Sequence, residues 1–246
     1  MSERSKPACL LLHGLGGGPY EFAPLEEALR HAGFDSSAPV LPGHEPSTPT
    51  MPASSWRDWY DCARQTFDSL AADGRAVAVL GFSTGGTLGL HLATERPVHR
   101  LVLLAPFLAI RYAGLIPLRP ASYLRHLAGL LPDLPRRPPA VRDPLMRRWA
   151  AQTDRFRTFN LHAAVSALEL IDRVKPLVPL IMTPTMIHQG RLDTVVEPAN
   201  ATWLYQNLGS ANKEVVYLPR SDHLIAVDVE RDQAIAAILN FLDETV

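Results

Sequence analysis

Short apolar runs alternate with helical patterns along most of the chain. Six short apolar runs predict strands, at residues 8–12, 38–41, 76–81, 101–104, 185–188 and 214–218. Apolar residues at helical spacing predict helices at residues 20–32, 56–72, 84–95, 198–208 and 229–242. Strands that alternate with helices indicate an α/β fold, with a mostly parallel central sheet and crossover helices on both faces.

Residues 107–160 break this alternation. Eight prolines lie between residues 106 and 144, enough to prevent a long regular element there. Residues 107–160 also hold ten arginines, no lysine and three acidic residues, an excess of about +7. We therefore expect a single domain over residues 1–246 that carries a small inserted cap or lid at residues 107–160.

Composition narrows the classes of partner. A formal net charge of -1 and a pI near 6.8 give no reason to expect nucleic acid as a partner. The N-terminus is polar, and the apolar run at residues 8–12 is too short for a signal peptide or an integral membrane segment. These features predict a cytoplasmic protein. The arginine excess at residues 107–160 is either a solvated face or a surface for fatty-acid carboxylates, acidic head groups and peripheral lipid contact.

The strongest chemical signal follows the third predicted strand. Gly81-Phe-Ser83-Thr-Gly85 matches G-x-S-x-G and stands between a buried-type strand and a helix, as a nucleophile elbow requires. A serine in that sharp turn projects its hydroxyl from the sheet edge, and the flanking glycines remove side chains that would clash across it. Ser83 is therefore the predicted nucleophile, whereas a serine between glycines in an ordinary turn is the alternative.

An acyl-transfer serine also needs two N–H donors for the oxyanion of its tetrahedral intermediate. We predict the N–H of Thr84, which follows the nucleophile at a helix N-terminus, and the N–H of Leu15 in the glycine-rich loop after the first strand. Such a loop can also bind phosphate. This one, however, lacks the Lys-Ser/Thr of a P-loop, and Pro19 stands where a dinucleotide fingerprint has glycine.

Chain order selects the remaining catalytic residues. In hydrolases with a nucleophile elbow the serine is followed first by an acid and then by the histidine, each on a loop after a strand. His223 follows the last predicted strand, and Asp193 lies in the loop after the strand before it. Asp222 is the chief alternative acid. Because neighbouring side chains of an extended loop diverge, we expect its carboxylate to be badly placed to hold His223.

These motifs together resemble the bacterial carboxylesterases and monoacylglycerol lipases of the α/β-hydrolase fold, over nearly the whole chain. The resemblance rests on six segments: His13-Gly14-Leu15, Leu41-Pro-Gly-His44, Trp56-Arg-Asp-Trp59, Gly81-Phe-Ser83-Thr-Gly85-Gly86, Gly190-Arg-Leu-Asp193-Thr-Val-Val196 and Ser221-Asp-His223. It implies the same triad and oxyanion donors, with no cofactor and no metal. The sequence departs from the family at Glu45, where glycine is common, and in the arginine- and proline-rich cap.

In this family the cap shapes the acyl pocket. The resemblance therefore implies Phe107, Ile110, Leu124 and Leu127 as substrate-binding residues, with Leu108, Leu115, Ile116, Leu130 and Leu131 as further candidates. The implied substrates are small acyl esters of short to medium chain length, with monoacylglycerols as the natural class. A peptidase, a thioesterase or an acyltransferase would use the same triad, and a ligand-binding protein could keep the fold without the chemistry.

Overall fold

The computed structural model of the chain describes residues 6–45, 49–111, 124, 126–153 and 156–244. Its strands are, in chain order, β1 Ala8–Leu12, β2 Ser36–Ser37, β3 Val77–Phe82, β4 Leu101–Leu104, β5 Asp133–Pro135, β6 Thr158–Asn160, β7 Thr185–Gly190 and β8 Lys213–Leu218. Six of them form one sheet in the order β2-β1-β3-β4-β7-β8, with every neighbouring pair parallel. β5 and β6 form a separate antiparallel pair.

Helices connect the strands on both faces of the sheet. They are α1 Ala23–His31, α2 Trp56–Leu70, α3 Thr84–Glu95, α4 Pro144–Thr153, α5 Leu161–Val174, α6 Ala199–Asn207 and α7 Arg231–Asp243, with 3-10 turns at Pro19–Phe22, Lys175–Leu180 and Ile225–Val227. α2 begins at Trp56 because Ser55 and Asp58 form a reciprocal capping box. No helix in the described ranges is long and apolar enough to span a bilayer.

The core lies on both sides of the sheet, which explains why the strands are apolar throughout. Val77 and Val79 of β3 face one side and pack with residues of α2, α3 and α5. Ala78, Leu80 and Phe82 face the other side and pack with residues of α1 and α7. A strand covered on both faces cannot show the polar alternation of a half-exposed strand. The predicted α/β class, with a mostly parallel sheet between helices, is confirmed.

The predicted strand at residues 38–41 is wrong. The edge strand is the two-residue β2, which pairs with β1 before the apolar run begins. Beyond it the chain turns inward, and the N–H of Leu41 donates to His13 Nε2 at 3.0 Å. Leu41 is buried, so its apolar side chain contributes to the core without any strand. Leu41 therefore has a packing role, which periodicity cannot distinguish from a strand, whereas Val40 is 42% exposed.

The start of one helix and the existence of another also differ from the prediction. Residues 19–22 form a 3-10 turn, and the α-helix predicted from residue 20 begins at Ala23. α5 was not predicted at all, although it is one of the most buried helices. It begins where Asn160 Oδ1 accepts the N–H of Ala163 at 3.1 Å. An asparagine cap followed by apolar residues at helical spacing was the signal that could have identified it.

Residues 107–160, here called the cap segment, lie between β4 and α5. Their described part contains the strand pair β5–β6 and the ten-residue helix α4, which begins at Pro144 immediately after the proline-rich stretch. Proline is well suited to a first helical turn because that turn has no partner for its N–H. The boundaries of the cap, and its assignment as an insertion within one domain, stay predictions.

Candidate active site

The three predicted triad residues meet at the carboxyl-terminal edge of the sheet. Because the strands are parallel, the loops that follow β3, β7 and β8 all emerge at that edge. Ser83 Oγ lies 3.1 Å from His223 Nε2, and His223 Nδ1 lies 2.9 Å from Asp193 Oδ2. All three residues are buried, with Asp193 fully so. The arrangement is a continuous hydrogen-bonded line from a hydroxyl through an imidazole to a carboxylate.

Ser83 has the backbone strain of a nucleophile elbow. Its φ of 52° and ψ of -117° lie where few non-glycine residues are found. The glycines on either side are sterically required. A Cβ at Gly85 would lie 1.9 Å from the carbonyl oxygen of Leu12, and a Cβ at Gly81 would lie 2.4 Å from that of Gly85. Glycine at these two positions therefore allows the start of α3 to approach both β1 and β3 closely, as the turn requires.

The Asp193 carboxylate is held so that one oxygen faces His223. Its Oδ1 accepts the N–H groups of Val195 and Val196, both at 2.8 Å, and its Oδ2 accepts from Gln189 Nε2 at 3.0 Å. Burial disfavours the ionised carboxyl, but the His223 imidazole and these hydrogen bonds outweigh burial and lower the pKa of Asp193. Burial likewise disfavours a protonated His223, yet the charge and hydrogen bond of Asp193 prevail and raise the pKa of His223.

Asp222, the alternative acid, has a different set of partners. Its Oδ1 accepts from the N–H and the hydroxyl of Thr194, both at 2.9 Å. Its Oδ2 lies 3.4 Å from Nε of Arg142 in the cap segment. Asp222 thus connects the loop after β8 to the loop after β7 and to the cap segment, while the hydrogen bond to His223 Nδ1 comes from Asp193.

The loop after β1 is held by hydrogen bonds to both the N–H and the C=O of Gly14. Gly14 N–H donates to Glu21 Oε2 at 2.8 Å, and Gly14 C=O accepts from Gly17 N–H at 3.1 Å. The same carbonyl also lies 2.9 Å from His13 Nδ1. His13 Nε2 is already occupied as the acceptor of Leu41 N–H, so Nδ1 carries the proton and donates to Gly14. Burial lowers the pKa of His13 to about 3, which keeps this ring neutral.

These bonds orient the predicted donor Leu15. In a planar trans peptide the C=O and the N–H point in opposite directions. Fixing Gly14 C=O therefore fixes the direction of Leu15 N–H. The other predicted donor, Thr84, is the first residue of α3, where the helix provides no acceptor for a backbone N–H. The side chain of Leu15 is half-buried and packs against the cluster of Ala128, Leu161 and Ala164, as do Leu124 and Leu127 of the cap segment.

The cap segment contacts the loops after β1, β7 and β8, each through an arginine. Arg111 donates to the carbonyl of Asp193, Arg136 donates to the carbonyl of Gly16, and Arg142 faces the Asp222 carboxylate. Of the described cap arginines only Arg136 is half-buried, and the others are exposed, namely Arg111, Arg137, Arg142, Arg147, Arg148 and Arg157. Arg119, Arg125 and Arg155 lie outside the described residues. The arginines at positions 111, 136 and 142 thus have contacts that charge alone did not predict, while the solvated or anion-attracting face stays a prediction.

The predicted acyl-pocket residues are only partly brought together. Phe107 adjoins the elbow, since its N–H donates to the carbonyl of Ser83 at 3.0 Å. Ile110 forms an isolated bridge with Val196 of the acid loop, and Leu124 and Leu127 pack, like Leu15, against the cluster of Ala128, Leu161 and Ala164. Leu108 is fully buried in the core. Leu130 and Leu131 are 79% and 50% exposed, and their place in an acyl pocket stays a prediction. Leu115 and Ile116 lie outside the described residues.

Three buried acids were missed by the sequence analysis, and one of them, Glu230, accepts the N–H of Arg220 at 2.9 Å and the hydroxyl of Ser221 at 2.7 Å. Glu21 holds Gly14, as described above. Asp228 Oδ1 accepts the N–H groups of Arg142 and Asp143 at 2.8 and 2.9 Å, and its Oδ2 accepts the N–H of Asp222 at 2.7 Å. Asp228 therefore fixes the His223 loop to the cap segment. Its position five residues after His223 was the only signal in the sequence.

Comparisons with known proteins show the family to which the chain belongs. The family model described as Serine aminopeptidase, S33 matches residues 3–230. The chain is 26% identical over 243 residues to the Thermostable monoacylglycerol lipase of Bacillus sp. (strain H-257), an alignment that spans 98% of this chain and 92% of that protein. It is 23% identical over 238 residues to the Carboxylesterase of Bacillus subtilis (strain 168), which spans 96% and 92%.

A solved structure shows the same fold. The metagenome-derived lipolytic enzymes LipS and LipT include a chain that superposes with a TM-score of 0.85 at 23% identity, over 98% of this chain and 95% of that one.

Proposed function

The chain is a serine hydrolase of the Serine aminopeptidase, S33 family, with the α/β-hydrolase fold, and we propose that it hydrolyses carboxylic esters through an acyl-enzyme. Ser83 is the nucleophile, His223 the general base and acid, and Asp193 the orienting acid. The observation that carries this proposal is the line of hydrogen bonds from Ser83 Oγ to His223 Nε2 at 3.1 Å and from His223 Nδ1 to Asp193 Oδ2 at 2.9 Å. Such a line is the arrangement that activates a serine hydroxyl.

The reaction has two halves. In the first, neutral His223 takes the Ser83 proton as Oγ attacks the ester carbonyl carbon, and His223 then gives that proton to the leaving alcohol. In the second, His223 takes a proton from water, the hydroxide attacks the acyl-enzyme, and the proton returns to Ser83 Oγ as the acid leaves. Asp193 stabilises the imidazolium in both halves, and this role fits its buried, ionised carboxylate. The mechanism needs no cofactor.

The oxyanion of each tetrahedral intermediate would be bound by the N–H groups of Leu15 and Thr84. Support for Leu15 comes from the two donors on Gly14 C=O, which turn the Leu15 N–H away from them. Support for Thr84 comes from its place at the start of α3, where the helix dipole favours negative charge. Two such donors are each worth about 10²–10³ in rate in other hydrolases.

The proposed substrates are small esters of short to medium acyl chains, with monoacylglycerols as the natural class. The names of the two relatives, a monoacylglycerol lipase and a carboxylesterase, support ester substrates. The half-buried apolar side chains of Phe107, Ile110, Leu124 and Leu127 are the proposed contacts of the acyl chain. A lipid-facing role for the exposed part of the cap segment would be consistent with Leu145, Arg147 and Arg148 on one helix.

One observation favours a second function. The matching family is described as Serine aminopeptidase, and an aminopeptidase would use the same three groups on an amide. A panel of p-nitrophenyl esters of increasing chain length, with a monoacylglycerol and an aminoacyl-amide beside them, separates the two. We expect the highest kcat/KM on an ester, and a preference for the aminoacyl-amide would overturn the esterase proposal.

The nucleophile is tested independently of the substrate. A fluorophosphonate probe should label the wild-type chain, and Ser83→Ala should abolish the label while leaving the unfolding temperature within a few degrees. A wild-type chain that takes up no probe would contradict the catalytic proposal itself. Label retained in Ser83→Ala would contradict the choice of nucleophile.

A further inference from the structure

Arg136 of the cap segment reaches the glycine-rich loop after β1. Its guanidinium donates to the carbonyl of Gly16, one residue beyond the proposed oxyanion donor Leu15. Gly16 has a φ of +72°, and a Cβ there would lie 3.3 Å from Arg136 Nη1 and 3.5 Å from Phe159. A residue with a side chain at position 16 would be both strained and crowded by the arginine. The loop and Arg136 are therefore fitted to each other.

The Gly16 carbonyl belongs to the same peptide as the Gly17 N–H. That N–H donates to Gly14 C=O at 3.1 Å, and Gly14 C=O belongs to the same peptide as the Leu15 N–H. Because each peptide is planar and trans, its C=O and N–H point in opposite directions. A cation bound to Gly16 C=O thus holds Gly17 N–H in the direction of Gly14 C=O. The bond from Gly17 N–H then fixes Gly14 C=O, so that Leu15 N–H points to the opposite side. Two peptide planes connect the guanidinium to the proposed oxyanion donor.

The chain of bonds also has an electrostatic direction. Successive hydrogen bonds polarise one another, and a charged donor at one end strengthens the donors that follow it. The positive guanidinium therefore makes Leu15 N–H a better donor to an oxyanion. His13, which supplies the second hydrogen bond to Gly14 C=O, is neutral. The charged donor in this series of hydrogen bonds is therefore Arg136.

The backbone of Arg136 is held in place independently of the loop. Its N–H donates to the carbonyl of Arg157 at 2.9 Å, which continues the β5–β6 pair by one residue. The N–H of Arg157 donates to the carbonyl of Pro49 at 2.7 Å, and β6 leads directly into the buried helix α5. The backbone of Arg136 is thus held by the body of the protein, while its guanidinium binds the glycine-rich loop after β1.

We propose that Arg136 is a positioning residue that aims and polarises the Leu15 N–H, so that the cap segment contributes to transition-state stabilisation as well as to the pocket. This inference rests on the proposed ester hydrolysis. An arginine that only bound substrate would act on KM, whereas one that aims an oxyanion donor acts on the transition state and therefore on kcat.

The test compares Arg136→Met with Arg137→Met, which removes the exposed arginine next to it. Rates on a p-nitrophenyl ester are divided by the number of active sites that a fluorophosphonate titrates, so that an unfolded fraction does not enter the result. For Arg136→Met we expect kcat per site to fall about tenfold to a hundredfold, less than for loss of a whole donor, with KM within about threefold. Arg137→Met should match the wild type, and Arg136→Lys should recover part of the loss.

A second readout follows the oxyanion directly. A trifluoromethyl ketone adds to the catalytic serine and places an oxyanion in the hole, so its Ki should rise in Arg136→Met by about the factor lost in kcat/KM. Equal kcat per site in the two methionine variants, or a change confined to KM, would overturn the inference while leaving the esterase proposal intact. A wild-type chain that hydrolyses no ester would instead overturn the proposed function, and this inference with it.

Discussion

Asp193→Asn, paired with Asp222→Asn, tests which carboxylate orients His223. In Asp193→Asn one amide oxygen can keep the two bonds from Val195 and Val196, so the NH₂ group replaces Oδ2. That NH₂ would face the donor groups of both Gln189 and His223. Gln189 can relieve its conflict by turning its amide so that Oε1, which has no hydrogen-bond partner within the described residues, accepts from the new NH₂, at the cost of the bond from Nε2 to the carbonyl of Gly190 at 3.2 Å.

His223 can relieve its conflict only by moving its proton from Nδ1 to Nε2. In that tautomer Nε2 can no longer accept the proton of Ser83. We therefore expect kcat/KM to fall by about 10³–10⁴, the order seen when a triad aspartate becomes asparagine in another serine hydrolase. That loss corresponds to about 4 to 5.5 kcal/mol of transition-state stabilisation.

Asp222→Asn should be far milder. Its amide oxygen still accepts both bonds from Thr194, and the change removes only the ion pair with Arg142, whose side chain is half-exposed. Such pairs contribute about 0–1 kcal/mol, so kcat/KM should fall less than about fivefold.

The assay is kcat/KM on a p-nitrophenyl ester from pH 5 to 9. The active imidazole is neutral, and Asp193 raises the pKa of His223, so wild-type activity should rise with pH through a limb above about pH 6.5. In Asp193→Asn the remaining activity should rise at a lower pH than in the wild type, because the Asp193 charge is lost. In Asp222→Asn the pH at which kcat/KM rises should stay near that of the wild type. Equal losses in the two variants would refute the assignment of Asp193.

Two further predictions concern buried histidines. His13→Ala removes the side-chain donor to Gly14 C=O and should lower kcat by about tenfold or more with little change in KM, measured on the same ester; an unchanged kcat would contradict the account of the oxyanion loop. His188 is fully buried, and burial lowers its pKa to about 4, so the unfolded chain binds its proton more readily than the folded chain does. Stability should therefore fall as pH drops from about 6.5 to about 4, by about 2 kcal/mol at pH 5. In urea unfolding, His188→Leu should lose that part of the acid sensitivity, and equal slopes against pH in both proteins would contradict it.

The triad could be predicted from the sequence because each of its signals is local or ordered. Ser83 has its strand, glycines and helix within ten residues, and chain order then selects Asp193 and His223. The same reasoning failed at residues 38–41, where an apolar run turns inward and supplies Leu41 N–H to His13. A hydrophobic run records burial, and burial can be reached without a strand.

The cap arginines show a second limit. Composition indicated an excess of positive charge at residues 107–160, but charge counts say nothing about acceptors. Arg111 and Arg136 donate to backbone carbonyls, which leave no trace in a sequence because every residue has one. Their roles depend on where the cap segment lies against the sheet edge, and that placement is set by long-range contacts such as Arg157 with Pro49.

Five buried carboxylates surround the catalytic edge, and their partners explain why one of them orients the imidazole. Glu21 and Glu230 accept backbone N–H groups of the loops after β1 and β8, and Asp222 and Asp228 connect the loop after β8 to the loop after β7 or to the cap segment. Asp193 also accepts two backbone N–H groups, but on one oxygen only, which leaves Oδ2 for Gln189 and His223. Burial of an acid at this edge is therefore not itself a sign of catalysis, because acids that hold the loops in place are buried as well. The distinguishing feature is where the second oxygen points: Oδ2 of Asp193 lies 2.9 Å from His223 Nδ1, whereas Oδ2 of Asp222 faces Arg142 of the cap segment.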